Sequence, residues 1–287
     1  MLSLNTNAAA LSTQSALANS QKALTTSMTR LGTGNRVNSA MDDAAGLQIA
    51  TRLNAQTRGM AVAQRNTQNG ISMMQTAEGA FSEVTDMLQR MKDLATEAAN
   101  GTSSADDKTA MQSEYDALGQ ELYNVMNNTT FGGAKLLAGG TLGAGGVTFQ
   151  IGASASETMA VNVSTDMTTL GTDLLAATAN YAAAGSTGTE LTAAGGANAA
   201  ITKLDTVLKD VGKVRSALGA ASNRLDHVYN NLANMSTNTT AAKGRIMDVD
   251  YATETSNMTA KQMLLQAGTS MLKQSGSMSQ MVLSLMQ

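Results

Sequence analysis

The chain has no cysteine, no proline and no tryptophan among its 287 residues. Without cysteine it can hold neither a disulfide nor a thiolate-bound metal. Without proline it lacks the residue that removes a backbone donor and clashes with the preceding turn, so long helices can run uninterrupted. Aromatic residues are only 3% of the sequence, which leaves any core to Leu, Met, Ala, Val and Ile. The 20 methionines suit irregular gaps between helices. Neither sign of charge dominates, with 19 Lys and Arg against 22 Asp and Glu. No basic stripe appears, which argues against nucleic acid as a partner. No apolar run reaches the ~18 residues of a membrane-spanning helix, so no membrane insertion is expected. No Lys or Arg precedes Lys22, and a secretory leader needs a positive start followed by an apolar segment. Composition by itself therefore points to the cytoplasm.

What is present is helical periodicity. Leu17, Leu24 and Leu31 are spaced by seven with Met28 between them, a narrow coiled-coil-like seam. It breaks at LGTGNRVNS, where Gly32, Gly34 and Asn35 supply turn conformations. A second helix is predicted from about Met41 to Ala99, carried by Ile71, Met74, Phe81, Leu88, Met91 and Ala95, with Gly59 and Asn69-Gly70 weakening its first half. Unbroken, such a helix would be ~80 Å long. A third is predicted by Met111, Tyr115, Leu118, Leu122 and Val125, after two overlapping start signals, Ser103-x-x-Asp106 and Ser104-x-x-Asp107. Val147, Phe149 and Ile151, then Met159, Val161 and Val163, alternate with polar residues around GASASET and predict a β-hairpin. Residues 166–195, rich in Ala, Gly and Thr, are expected to form a short loop or insertion. Ile201, Leu204, Leu208, Val211, Leu218, Leu225, Tyr229 and Leu232 predict a fourth helix. Leu264, Met271, Val282 and Leu285 form a second narrow seam near the end. Each terminal seam is too thin to stabilise a lone helix, so the two ends should pair with each other or with neighbouring chains. The fold class is mainly α: an elongated helical bundle or coiled coil from paired terminal segments, with a small central hairpin.

Candidate chemistry is sparse. Asp42 and Asp43 could be an acid and a base, but adjacent helical side chains point about 100° apart. Ser39 with Asp42 instead fits a capping box at a helix start. His227 is the single histidine and has no cysteine or second histidine to share a metal. GGTLGAGG lacks the Gly-Lys-Ser/Thr ending of a phosphate cradle. Asp248-Val-Asp250 lacks the glycine and the closing glutamate of a calcium loop, which leaves helix capping. No catalytic, cofactor or metal site is expected.

Several stretches resemble bacterial flagellin, the subunit of the flagellar filament. They are LTTSMTRLGTGNRVNSAMDDAAGLQIATRL, RNTQNGISMMQTAEGAFSEVTDMLQRMKDLATEAANGT, TTFGGAKLL with FQIGASASE, LGAASNRLDHVYNNLAN and DYATETSNMTAKQMLLQAGTSML. The resemblance implies an inner domain of paired terminal helices, here 1–43 with 245–287, and a helical core domain with a hairpin, here 44–165 with 196–244. It implies a structural protein that is not an enzyme and has no cofactor. It also implies self-association into a helical polymer, with an export chaperone on the C-terminal segment and filament-cap and hook-associated proteins as partners. The polymerisation seam would be Leu17, Leu24, Met28 and Leu31 with Leu264, Met271, Val282 and Leu285. In some family members a surface patch is read by Toll-like receptor 5, and its motif matches Arg90, Leu94 and Glu114. Flagellins leave through the flagellum's own type III export channel without a cleaved signal, so the implied location is the extracellular filament and not the cytoplasm. The C-terminal SGSMSQMVLSLMQ departs from the family, which often has a proline there and ends in arginine. The alternative is a hook–filament junction protein, which shares the terminal helices.

Overall fold

Apolar positions at alternating three- and four-residue steps build the core of this structure, a computed structural model that describes residues 8–181 and 188–285, with side chains described to 277. The elements in order are α1 (Ala8–Thr33), α2 (Ala44–Ala98), α3 (Ala105–Asn128), β1 (Thr130–Phe131), β2 (Ala134–Lys135), β3 (Val147–Gln150), β4 (Thr158–Val161), α4 (Ser164–Ala177), a 3-10 turn (Ala179–Tyr181), α5 (Gly196–Met247) and α6 (Tyr251–Leu285). The chain divides into two compact units, residues 1–56 with 237–287 and residues 57–236. Both divisions fall inside continuous helices, α2 and α5.

In the 57–236 unit, α2 buries Met74, Ala77, Phe81, Val84, Leu88, Met91, Ala95 and Ala98. Helix α5 buries Ala197, Ala200, Leu204, Val207, Val211, Val214, Leu218, Ala221 and Leu225. Both rows keep the 3-4-3-4 spacing of a heptad seam. Glu78 pairs with Arg215 at 2.7 Å, and Lys92 pairs with Asp205 at 2.6 Å. Partner numbers fall on α5 as they rise on α2, so the two helices are antiparallel. Helix α3 adds Tyr115, Leu122 and Met126 to the same core. Burial pushes the Tyr115 phenol well above its ordinary pKa, and its hydroxyl donates to the Ala177 carbonyl at 2.9 Å.

The hairpin forms as predicted. Val147 pairs with Val161 and Phe149 with Met159 in antiparallel register. The glycines that weakened the α2 pattern mark where the hairpin lies. A Cβ on Gly59 would stand 2.6 Å from the Ala153 Cβ, and one on Gly70 would stand 2.9 Å from the Phe149 ring. Helix is retained there because the missing side chains make room for the hairpin. A second pair, β1 with β2, closes over Gly132 and Gly133 at φ 60° and 86°. Two consecutive positive φ values are what a two-residue type I′ turn needs.

The expectation of a loop over 166–195 is corrected. Residues 164–177 form α4, with Met167, Leu170, Leu174 and Ala177 buried at helical spacing. Threonines hide this helix in the sequence because they favour other conformations. Here their hydroxyls bond back to the preceding turn, Thr168 to the Ser164 carbonyl at 2.8 Å and Thr172 to the Thr168 carbonyl at 3.0 Å. Burial of one apolar stripe then outweighs the weak propensity. After α4 the chain is held to α3: the Gln112 amide donates to Glu190 at 2.9 Å, and its oxygen accepts the Leu191 N–H at 2.7 Å.

Helix starts follow the acids. Ser104 and Asp107 make a reciprocal capping box, which settles the two overlapping signals in favour of the second. The Ser39–Asp42 box is corrected, because α2 begins later. The Asp42 carboxylate accepts the Ser39 N–H at 2.9 Å and the Ser39 hydroxyl at 3.1 Å, closing a turn before the helix. Asp43 is the residue that caps α2, accepting the Gly46 N–H at 2.8 Å. Asp250 caps α6 by accepting the Ala252 N–H at 3.0 Å and the Thr253 hydroxyl at 2.8 Å. These bonds hold three carboxyls below the ordinary value of 3.8: the Ser39 backbone N–H for Asp42, the Ser104 hydroxyl for Asp107 and the Thr253 hydroxyl for Asp250.

Two predictions follow from this packing. Gly79 has open space where a Cβ would stand, so Gly79→Ala should stabilise the protein by about 0.5–1 kcal/mol through helix propensity. Gly59→Ala has the same propensity gain but meets Ala153, so it should destabilise by about 1–3 kcal/mol in denaturant titration; a gain at both positions would refute the docking of the hairpin on Gly59. The depressed carboxyls contribute stability that is complete above the ordinary carboxylate pKa and is lost as pH falls below it. Asp107→Asn and Asp250→Asn should each lower the unfolding midpoint at pH 7 and shrink its fall between pH 7 and pH 3; a fall as large as that of the unmodified chain would sink the assignment.

Candidate functional site: the paired terminal helices

The unit formed by residues 1–56 and 237–287 is built on α1 lying along α6. Their facing rows contain small residues, which lets the two backbones approach closely. On α1 the half-buried row is Ala10, Thr13, Leu17, Ser20, Leu24, Ser27 and Leu31, with Ser27 fully buried. On α6 it is Glu254, Met258, Lys261, Leu265, Gly268, Leu272 and Ser275. Both rows step by three and four residues, the spacing of a two-helix seam. A Cβ on Gly268 would stand 3.0 Å from Leu17, which fixes the face that α6 turns to α1.

The breaks next to these helices are tied to each other. The Arg36 N–H donates to the Met247 carbonyl at 2.6 Å, and the Val249 N–H donates to the Gly34 carbonyl at 3.0 Å. Asn35 and Asp248 thus form an isolated antiparallel bridge. Gly34 has φ 73°, the left-handed region that favours glycine, and a Cβ there would stand 3.0 Å from the Tyr251 hydroxyl. The Arg30 guanidinium lies 3.9 Å from Asp42 and 3.8 Å from Glu254, which joins the turn, α1 and α6.

The predicted seam is thereby divided. Leu17, Leu24 and Leu31 enter the contact with α6. Met28, Leu264 and Met271 do not; they are 58%, 53% and 64% exposed. Leu264 and Met271 flank the seam along an open groove that also includes Ala267, Ser12, Ala16 and Leu17. The side chains of Val282 and Leu285 lie outside the described residues. The row that does meet α1, Met258, Leu265 and Leu272, is also spaced by seven and was visible in the sequence. Two apolar rows lie one residue apart on α6, and sequence cannot say which one meets its own partner.

The predicted receptor patch is also divided. Arg90 on α2 and Glu114 on α3 form an exposed pair at 2.7 Å, in which the carboxylate further stabilises the guanidinium charge. Leu94 is 3% exposed and belongs to the core instead of the surface. Among the described residues no helix is long and apolar enough to cross a membrane.

The helix pair thus has one face joined and another apolar face, at Leu264 and Met271, open. The helical region described as bacterial flagellin N-terminal matches residues 4–141, and the bacterial flagellin C-terminal helical region matches residues 201–286. The chain is 36% identical to Flagellin A of Vibrio anguillarum, in an alignment of 380 positions covering all of both chains. It is 35% identical to Flagellin A of Vibrio cholerae serotype O1, again over 380 positions and the whole of both chains. Against 287 residues here, those 380 positions leave 93 unfilled, so the relatives carry segments that this chain lacks. Among solved structures, a putative flagellar hook-associated protein from Vibrio parahaemolyticus aligns with TM-score 0.53 over 72% of this chain and all of that one, at 16% identity, a likeness of fold alone. The full-length identity favours the filament subunit over the junction protein: the chain belongs to the bacterial flagellin family.

Proposed function

We propose that copies of this chain join through the apolar row Leu264–Ala267–Met271 of α6 and through Met28 of α1. As a flagellin, the chain is a structural subunit of the extracellular flagellar filament, and its place there replaces the cytoplasm that composition suggested. The observation that carries the proposal is that Met28, Leu264 and Met271 are each more than half exposed beside a seam already filled by α1 and α6. Exposed apolar surface of this kind is ordinarily covered by a partner. Contacts between unlike faces that do not close on themselves generate a helical polymer. In this reading residues 1–43 with 245–287 act as the polymerising inner domain, and residues 44–165 with 196–244 form the helical core domain with its hairpin.

The same exposed row supports an export chaperone that covers the C-terminal segment before assembly. The absence of cysteine supports export in an unfolded state, since no disulfide can lock the chain. Filament-cap and hook-associated proteins would meet the terminal unit at the filament's two ends. The exposed Arg90–Glu114 pair supports recognition by Toll-like receptor 5, with Leu94 acting from beneath by holding α2 in place.

Electron microscopy of purified chain added to short filament fragments tests the proposal. The full chain should give long filaments, and a truncation lacking residues 250–287 should give none. Leu264→Asp with Met271→Asp should also abolish elongation while leaving the helical circular dichroism of the monomer unchanged. Normal elongation by the double variant would remove this row from the assembly contact.

A further inference from the structure

A second groove on the terminal unit differs from the apolar one. It is lined by Lys22 and Arg30 of α1 and by Glu254 and Lys261 of α6, with the small Ser27 beneath. Three cations face one carboxylate. That carboxylate is buried, and it lies 3.8 Å from Arg30, whose other acid, Asp42, is at 3.9 Å. Both distances are too long for direct hydrogen bonds. The Arg30 Nε is shielded from solvent and has no acceptor. Among the described residues Lys22 and Lys261 have no acidic partner. The groove therefore holds more positive charge and more donors than its own chain satisfies.

The charge of the two units is also unequal. The unit 1–56 with 237–287 has eight Lys and Arg against five Asp and Glu, net +3. The unit 57–236 has eleven against seventeen, net −6. Each copy thus carries a surplus of the sign that the groove lacks.

We infer that the Lys22–Arg30–Lys261 groove binds a carboxylate side chain presented by the acidic unit of a second copy of this chain. The inference rests on the filament reading and adds an ionic anchor to its apolar contact. A guanidinium and two ammonium groups are donors only, so the group they bind must accept hydrogen bonds and carry negative charge. Docking of a second copy excludes water from the groove, which strengthens such a contact relative to an exposed ion pair. Opposite net charges also steer approaching copies and fix their register more than they raise affinity.

Elongation of filament fragments by the full chain, followed over a sodium chloride series, tests this. The critical concentration of the unmodified chain should rise with salt, because salt screens opposite charges. Lys22→Gln with Lys261→Gln should raise the critical concentration at low salt about tenfold, equivalent to ~1.4 kcal/mol, and should flatten its salt dependence. Lys22→Arg with Lys261→Arg should restore both. Circular dichroism and thermal unfolding of the monomer should match in all three. An unchanged critical concentration and salt slope in the Gln variant would overturn the inference, and so would weaker assembly that keeps the full salt slope. Unchanged elongation together with lost binding of inorganic polyphosphate would reassign the groove to a free anion. Failure of the unmodified chain to elongate fragments would count against the filament reading itself, and is told apart because it appears without any substitution.

Discussion

The antiparallel seam between α2 and α5 is the interaction on which the rest of the core unit depends. Two heptad-spaced rows of Leu, Val, Met and Ala meet along it, and Glu78–Arg215 and Lys92–Asp205 hold the register from the rim. Such exposed pairs contribute little energy each. Their use is to select one alignment among several that a uniform apolar seam would tolerate. Once that register is set, Gly59 and Gly70 present bare backbone where the hairpin arrives, and Tyr115 of α3 reaches the end of α4.

The terminal unit obeys a different rule. Its seam alternates leucines with Ser20, Ser27 and Gly268, so the helices come close but bury little apolar area. A pair of that kind is marginal when isolated. The apolar surface it withholds, at Met28, Leu264 and Met271, is the surface that assembly can cover. In the proposed assembly, stability of this unit and polymerisation are two outcomes of one division of side chains. The cationic groove beside it adds direction to a contact that apolar packing alone would leave unspecific.

Much of this was legible in the residues. Alternation marked the hairpin, heptad spacing marked the long helices, and Ser and Asp pairs marked their starts. The Ser39–Asp42 pair matched the pattern of a capping box, yet Asp42 closes a turn and Asp43 caps the helix, because the pattern fixes spacing and not the residue at which the helix begins. Helix α4 escaped because its threonines disfavour helix until burial and back-bonding offset them. Leu94 resembled a surface residue by motif, but its position three after Met91 in the buried row of α2 places it inside.

The sequence by itself determined the element types. Zero proline, few aromatics and sustained 3-4 spacing leave a chain of this length little choice but long amphipathic helices. Only the tertiary structure decided which of two adjacent apolar rows on α6 meets α1. The rows have the same period and similar residues, so local physics does not distinguish them. The choice falls to Gly268, whose missing side chain lets Leu17 approach, and to Arg30, which joins Glu254 to the turn at Asp42. The contacts of Gly268 with Leu17 and of Arg30 with Glu254 link residues more than two hundred positions apart, and a one-dimensional pattern has no term for such a pair.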